Sequence, residues 1–232
     1  MAHQHSRLQQ GVQFSRHLQG LVMMDDRHDF TAPDLSQLVG SRLCHDIVNP
    51  LSAISNGIEL LALSGAPRSP EIDLIASAVG DAMARVRFYR IAFGAARAGE
   101  TLSPRELREI LTALYSSGRH DVDWQITSDL PRRDAKLAFL MLSCAETAFP
   151  LGASLQVTNA DGVWRLTGAG RKLASDDALW GLLHGSGLPD EAPPPGRVQF
   201  ALLAQEMAAR GLMARVAMDE DSAHLTLSVA LA

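Results

Sequence analysis

Residues 38–61 have the sequence LVGSRLCHDIVNPLSAISNGIELL, and this stretch decides the fold. Its large aliphatic residues recur at alternating intervals of four and three, which is the spacing of the apolar seam in coiled coils and helical bundles. The pattern predicts a long amphipathic helix that begins near Asp34 or Ser36, since either is a good N-cap residue. Gly65, Pro67 and Pro70 are expected to end it. The seam consists of Ile47, Leu51, Ile54, Ile58 and Leu61.

A second helix is predicted from Glu71 to Phe93. Two helices of about 25 residues joined by a short loop indicate an antiparallel hairpin about 40 Å long. Such a hairpin cannot bury two apolar seams by itself, so we expect two copies of the chain to form a four-helix bundle. The second seam consists of Ile72, Ile75, Val79, Val86 and Phe93.

The polar side of the first helix carries His45, which lies about 200° around the helix from Ile47. We therefore expect the imidazole to be exposed to a partner. Pro50 lacks an N–H and would ordinarily end a helix, yet the apolar seam continues through it in register. This continuity argues against a plain surface histidine beside a helix-breaking Asn-Pro. The residues that share the face of His45 are Asn49, Ser52, Asn56 and Glu59.

The neighbours of His45 suit phosphoryl transfer. A neutral imidazole nitrogen can attack phosphorus when the other ring nitrogen holds the proton, and Asp46 is placed to accept a hydrogen bond from that N–H. Asn49, one turn further on, can position the ring or the phosphoryl group. Arg42, three residues before His45, can attract phosphoryl oxygens. The pattern therefore predicts His45 as a phosphorylated nucleophile, assisted by these three side chains.

The composition of the chain excludes several other classes of protein. It has 232 residues, and 21 basic against 26 acidic side chains leave a net charge of −5, which excludes a broadly basic nucleic-acid-binding protein. No apolar run approaches the roughly 20 residues that span a bilayer. The two cysteines, Cys44 and Cys144, provide neither a disulfide framework nor the ligand spacing of a zinc site. We expect a cytoplasmic protein that has no metal site and binds neither nucleic acid nor membrane.

The pattern of apolar residues changes after the GAARAG segment at 94–99. Residues 1–32 are predicted as a flexible leader, 33–98 as the helical hairpin and 99–232 as an α/β sandwich, so the fold class is α+β. The predicted elements of the sandwich are helices at 103–115, 134–149, 176–183 and 197–210, a strand through Val122, Trp124 and Ile126, and hairpins at 155–167 and 213–231.

The order His45-Asp46-x-x-Asn49-Pro50 resembles the H-box of two-component histidine kinases, whose histidine is phosphorylated. Together with the sequence RVRFYRIAFGAARAG at 85–99, the stretch at 38–61 is similar to a narrower group, the ChpT-type histidine phosphotransferases of bacterial phosphorelays. This resemblance implies a homodimer built on a four-helix bundle. It also implies a C-terminal domain that resembles the ATP-binding domain of a kinase but has lost nucleotide binding.

The same resemblance implies the function. His45 would take a phosphoryl group from the receiver aspartate of a hybrid histidine kinase and pass it to the receiver of a response regulator. The receiver would supply Mg²⁺, and the chain would need no cofactor of its own. Ser52 and Asn56 are candidates for the docking surface. Arg85 and Arg90 belong to a basic cluster on the second helix that is either a further part of that surface or a plain solvated face.

Loss of nucleotide binding can be examined in the sequence itself. Ser143 and Thr147 occupy the positions of the two metal-orienting asparagines of a working kinase domain. Leu166 replaces the aspartate that reads adenine, two residues before Gly168-Ala169-Gly170, and a leucine cannot accept a hydrogen bond from the adenine amino group. Glu146, on the same helix, is expected to have a solvated or capping role. Two alternatives remain open at this point: an autophosphorylating kinase with a divergent ATP site, and a non-catalytic dimeric interaction module.

Overall fold

The computed structural model describes residues 32–64, 69–116, 118–184 and 193–231, and the side chains of the first helix from residue 37 onward. The predicted leader and the loop containing Gly65 and Pro67 lie outside the described residues. The helices are α1 (Ala32–Leu63), α2 (Pro70–Ala92), α3 (Pro104–Tyr115), α4 (Arg132–Ala148), α5 (Asp177–Gly181) and α6 (Val198–Ala208). The strands are β1 (Thr101–Leu102), β2 (Asp121–Trp124), β3 (Leu130–Pro131), β4 (Ala153–Ala160), β5 (Val163–Gly170), β6 (Leu212–Asp219) and β7 (His224–Leu231).

Helix α1 begins at Ala32, upstream of both predicted caps, and continues through Pro50 without interruption. Helix α2 begins as its sequence directs: the Ser69 hydroxyl caps it by accepting a hydrogen bond from the Ile72 N–H, and Pro70 occupies the first turn. The first turns of α1 lie beside the end of α2, because the Ser41 hydroxyl accepts a hydrogen bond from the Ala95 N–H at 3.1 Å. The two helices are therefore antiparallel, as predicted.

The apolar seam of α1 is only partly covered within one chain. Leu51 and Ile58 are half-buried, but Ile47, Ile54 and Leu61 are exposed. This exposure agrees with the expectation that one hairpin cannot bury both seams, because a single neighbouring helix covers only part of the first seam. Of the fifteen large hydrophobic side chains that are exposed among the described residues, ten lie between positions 38 and 75. An apolar surface of this extent on a helical hairpin indicates a site of association.

The second half of the chain contains a five-stranded sheet in the order β2-β4-β5-β7-β6. Strands β2 and β4 are parallel and the other pairs are antiparallel. A separate two-stranded sheet joins β1 to β3. Alternate side chains of the large sheet are buried, among them Leu155, Leu166 and Leu227, while the opposite face is exposed or half-buried.

Helix α4 lies at the centre of the core. Its side chains from Ala135 to Ala145 are buried on every face, because α4 packs against α2 as well as α6 and the sheet. The contact with α2 is aromatic: the rings of Phe88 and Phe139 stack with their centroids 4.7 Å apart. This contact joins the hairpin to the sheet-containing half.

Most predicted elements of the second half are present, with shifted ends. Helix α3 has the predicted Ser103 cap, whose hydroxyl accepts a hydrogen bond from the Glu106 N–H. Strand β2 ends at Trp124, so Ile126 lies outside the strand that was predicted to include it, although its side chain is buried. None of the described helices is long and apolar enough to cross a membrane.

Candidate functional site

The candidate site lies on the exposed face of α1, where three side chains contact one another. Nδ1 of His45 lies 3.2 Å from Oδ1 of Asp46, and Nε of Arg42 donates a hydrogen bond to Oδ2 of the same carboxylate at 2.8 Å. Each carboxylate oxygen therefore has its own nitrogen partner. The His45 side chain retains 67% of its exposure, so a partner has direct access to the ring.

This arrangement holds Asp46 ionised and selects one form of the histidine. The hydrogen bond with His45, followed by the interaction with Arg42, lowers the pKa of the Asp46 carboxyl. An ionised carboxylate can only accept, so neutral His45 carries its proton on Nδ1. Nε2 is then an unprotonated nitrogen that faces away from Asp46. A ring in this form can attack an electrophile through Nε2.

The structure gives Arg42 a partner that the sequence did not identify. The sequence indicated that Arg42 attracts phosphoryl oxygens, whereas its Nε is bound to Asp46. A guanidinium has five N–H donors, so four remain for other partners. Arg42 therefore orients the Asp46 carboxylate in this structure, and its remaining donors are exposed next to His45.

The other predicted residues of α1 lie along the same face but do not join this group. Asn49 and Asn56 are exposed and Ser52 is half-buried. Within the part of the chain that the structure describes, none of the three makes a side-chain hydrogen bond with His45 or Asp46. Asn49 is one helical turn from His45, which places it within reach of a group bound to the ring.

The two arginines proposed for docking face different neighbours. The positive charge of Arg90 acts on Cys44, the residue before His45, although burial outweighs it and raises the pKa of the thiol. Arg85 instead lies near Glu146 of α4. Arg90 is therefore near Cys44 of α1, whereas Arg85 is near Glu146 in the sheet-containing half.

Glu146 is less exposed than its expected solvated or capping role implies. The residue is half-buried, and burial raises the pKa of its carboxyl, while Tyr115 and then Arg85 act in the opposite direction. Tyr115 of α3 is its neighbour, and burial followed by the Glu146 charge raises the pKa of that phenol. Packing of Tyr115 from α3 beside Glu146 reduces the exposure of this carboxyl, which the sequence of α4 does not reveal.

The positions compared with a nucleotide site are occupied by internal contacts. The Ser143 hydroxyl donates to the Phe139 carbonyl at 3.1 Å, and the Thr147 hydroxyl accepts a hydrogen bond from the Gln199 side chain at 2.9 Å. Leu166 is fully buried in β5. Phe149 is also fully buried, and a Cβ on Gly168 would lie 2.5 Å from its ring.

Phe149 was not singled out from the sequence, yet it gives the glycine pair a packing role. The pair allows β5 to pass close to an aromatic ring. Within the described ranges, no group of three or more His, Cys, Asp or Glu side chains is arranged to hold a metal ion.

Comparison with known proteins shows which family the chain belongs to. Residues 104–222 match the family model described as the histidine phosphotransferase C-terminal domain. The protein phosphotransferase ChpT of Brucella abortus (strain 2308) is 35% identical over 186 residues, which cover 77% of this chain and 88% of that protein. The chain belongs to the histidine phosphotransferase family. The predicted resemblance is confirmed.

A solved structure of a bacterial phosphotransferase also resembles this histidine phosphotransferase. The two chains are 28% identical and superpose with a TM-score of 0.61, covering 86% of this chain and 97% of the other. The predicted α+β fold, with a helical N-terminal part followed by a mixed sheet, is confirmed. The histidine phosphotransferase is an enzyme that transfers phosphoryl groups, as predicted.

Proposed function

We propose that His45 carries the phosphoryl group of a phosphorelay. The observation that supports this most strongly is the exposed imidazole whose Nδ1 is held by Asp46 and whose Nε2 makes no hydrogen bond with any residue that the structure describes. In the proposed step, the Nε2 lone pair attacks the phosphorus of an aspartyl phosphate on a receiver domain. A P–N bond forms, the P–O bond to the receiver aspartate breaks, and that aspartate leaves as a carboxylate.

Asp46 stabilises the charge that this step creates. The imidazole becomes an imidazolium when Nε2 bonds to phosphorus, while its proton stays on Nδ1 beside the carboxylate. The reverse step needs no additional group: the aspartate of a second receiver attacks the phosphorus, the P–N bond breaks and neutral His45 is restored. Asn49 is placed to orient the phosphoryl oxygens, and Arg42 acts mainly by holding the Asp46 carboxylate.

We propose that the donor is the receiver domain of a hybrid histidine kinase and the recipient that of a response regulator. Receiver aspartates lie in acidic pockets, for which the exposed Arg90 of the hairpin is a complementary contact. Ser52 and Asn56 extend the face of α1 that carries His45. The receiver supplies the Mg²⁺, and this chain contributes the nucleophile, its tautomer and the docking surface. Cytoplasmic location remains part of the proposal, since it is where such receivers are found.

We also propose that the phosphotransferase acts as a homodimer whose α1 and α2 helices form a four-helix bundle. The exposed apolar residues of the hairpin support this, because water contact with that much apolar surface is unfavourable. The occupied positions around Ser143, Leu166 and Phe149 support the further proposal that the second half does not bind ATP.

The source of the phosphoryl group tests this proposal. The chain is incubated either with a receiver domain loaded on its aspartate by acetyl phosphate and freed of excess reagent, or with labelled ATP and Mg²⁺ alone. We expect label from the receiver only, and the label should be acid-labile and alkali-stable, as phosphohistidine is. Label acquired from ATP alone would instead show an autophosphorylating kinase.

A further inference from the structure

The segment that joins α2 to β1, residues 93–100, is held by side chains from both halves of the molecule. On the hairpin side, the Ser41 hydroxyl accepts a hydrogen bond from the Ala95 N–H. The neighbouring Gly40 allows close backbone contact, since a Cβ there would lie 3.1 Å from the Phe93 carbonyl oxygen. Ser41 is one helical turn before His45, so this segment is attached to the turn of α1 that precedes the histidine.

On the other side, two cationic side chains of α4 donate to the same segment. Nζ of Lys136 donates to the Gly94 carbonyl at 3.0 Å, although Lys136 is only 2% exposed. Arg132 donates to the Ala95 carbonyl at 3.1 Å and to the Arg90 carbonyl at 2.8 Å. Arg132 also forms an ion pair with Glu100 at 3.3 Å.

The desolvation of Lys136 and Arg132 is the energetic reason why these hydrogen bonds are specific. Removing a lysine and an arginine from water is unfavourable unless their donors are satisfied, and here carbonyls at the end of α2 and in the segment after it satisfy several of them. The Arg90 carbonyl belongs to the last turn of α2, whose carbonyls lack partners within the helix, and the Gly94 and Ala95 carbonyls follow the helix. A short connecting segment is thus fixed to α1 at one side and to the central helix of the core at the other.

We propose that Ser41, Arg132 and Lys136 form a clasp that fixes the sheet-containing half beside the phosphotransfer helix, so that a receiver meets one preformed surface. This inference rests on the proposed transfer through His45. Fixing the segment in the free protein removes an ordering cost that would otherwise oppose receiver binding. The clasp residues are positioning residues, and none of them contacts the phosphoryl group.

The test compares Arg132→Ala and Ser41→Ala with Arg133→Ala. Arg133 is the exposed neighbour of Arg132, and its side chain makes no hydrogen bond or ion pair with any other residue that the structure describes. Ser41→Ala removes one acceptor from a half-buried position, so it keeps the test valid if Arg132→Ala folds poorly.

Three measurements are made on each variant. The first is hydrogen exchange of the amides at 93–96, and the second is the transfer rate as a function of the concentration of phosphorylated receiver. The third is the rate of chemical phosphorylation by phosphoramidate. In the last reaction His45 displaces ammonia from phosphorus, so it reports on the nucleophile without a receiver.

We expect both clasp variants to exchange these amides faster and to need about tenfold more receiver for half-maximal transfer. The rate at which phosphoramidate labels the two clasp variants should equal that of the unmodified chain. Arg133→Ala should match the unmodified chain in all three measurements. Two results would overturn the proposed clasp. One is faster amide exchange at 93–96 with no change in the receiver concentration needed for half-maximal transfer. The other is amide exchange that is unchanged in both variants. Failure of the unmodified chain to accept phosphoryl from any receiver would instead overturn the proposed function.

Discussion

Asp46 has two partners, one for each carboxylate oxygen, and this makes it the residue on which His45 depends most. Asp46→Asn replaces one acceptor oxygen by an NH₂ group that can donate to Nδ1 and stabilise the wrong tautomer. We expect transfer from a receiver to fall by about 10²-fold to 10⁴-fold, the range for loss of a group that assists proton placement. Asp73→Asn, an exposed change on α2, is the control. Equal rates for the two variants would show that Asp46 does not set the tautomer.

Arg42 should matter less if it acts through Asp46. Both side chains of this ion pair are exposed, so water screens their interaction, and Arg42→Ala is expected to slow transfer by less than about fivefold. The measurement is the same transfer rate. A loss as large as that of Asp46→Asn would mean that Arg42 binds the phosphoryl group directly.

Glu146 makes the stability of the protein depend on pH. Its pKa is raised in the folded state by burial, so the folded chain keeps this proton at a pH where the unfolded chain has lost it. The free energy of unfolding should therefore fall as the pH rises above the ordinary pKa of glutamate and through the folded one. Glu146→Gln should flatten this dependence in urea titrations across pH 4–8. Glu220→Gln, an exposed change, should not, and identical pH profiles for the two variants would refute the assignment.

At the scale of helices and strands, the contact between α2 and α4 attaches the hairpin to the sheet-containing half. Phe88 is 1% exposed and stacks on Phe139, so Phe88→Ala should lower the free energy of unfolding by about 3–5 kcal/mol. Tyr89→Ala, the exposed neighbour on the same helix, should cost about 1 kcal/mol or less. Urea unfolding measures both. Similar losses would show that the aromatic stack does not hold the two halves together.

The sequence predicts individual elements well where the signal is local. Ser103 followed by Pro104 specifies the start of α3, and the apolar seam through Pro50 specifies a long α1. The end of β2 was predicted less accurately. Ile126 fits the alternating pattern of the strand, yet the strand ends at Trp124. The strand order could not be predicted, because it depends on contacts between residues far apart in the chain.

In the candidate site, too, local features could be predicted from the sequence, whereas contacts between distant residues could not. His45 and Asp46 are neighbours in sequence, so their interaction follows from helix geometry, whereas the choice of Arg42 between Asp46 and a phosphoryl group depends on its rotamer. Lys136 and Phe149 were missed because their roles arise from packing against segments that are distant in sequence. A lysine in the middle of a buried helix is the one signal that would have drawn attention to the clasp.

For the whole molecule, association through the hairpin is the main expectation. Ile54→Asp combined with Leu61→Asp places two charges in the apolar face and should convert a dimer into a single chain of 25.0 kDa. Light scattering coupled to size exclusion measures the mass. Thr112→Asp, an exposed change on α3, should leave the dimer intact. A single-chain mass for the unmodified protein at micromolar concentration would exclude the proposed bundle.

The most direct test of the whole account is phosphoryl transfer from a pre-phosphorylated receiver domain to the unmodified chain and to His45→Gln. We predict that the unmodified chain gains the label and that His45→Gln gains none while retaining its folded mass and unfolding transition. Label on the His45→Gln variant would place the phosphoryl group on another residue and contradict the central claim.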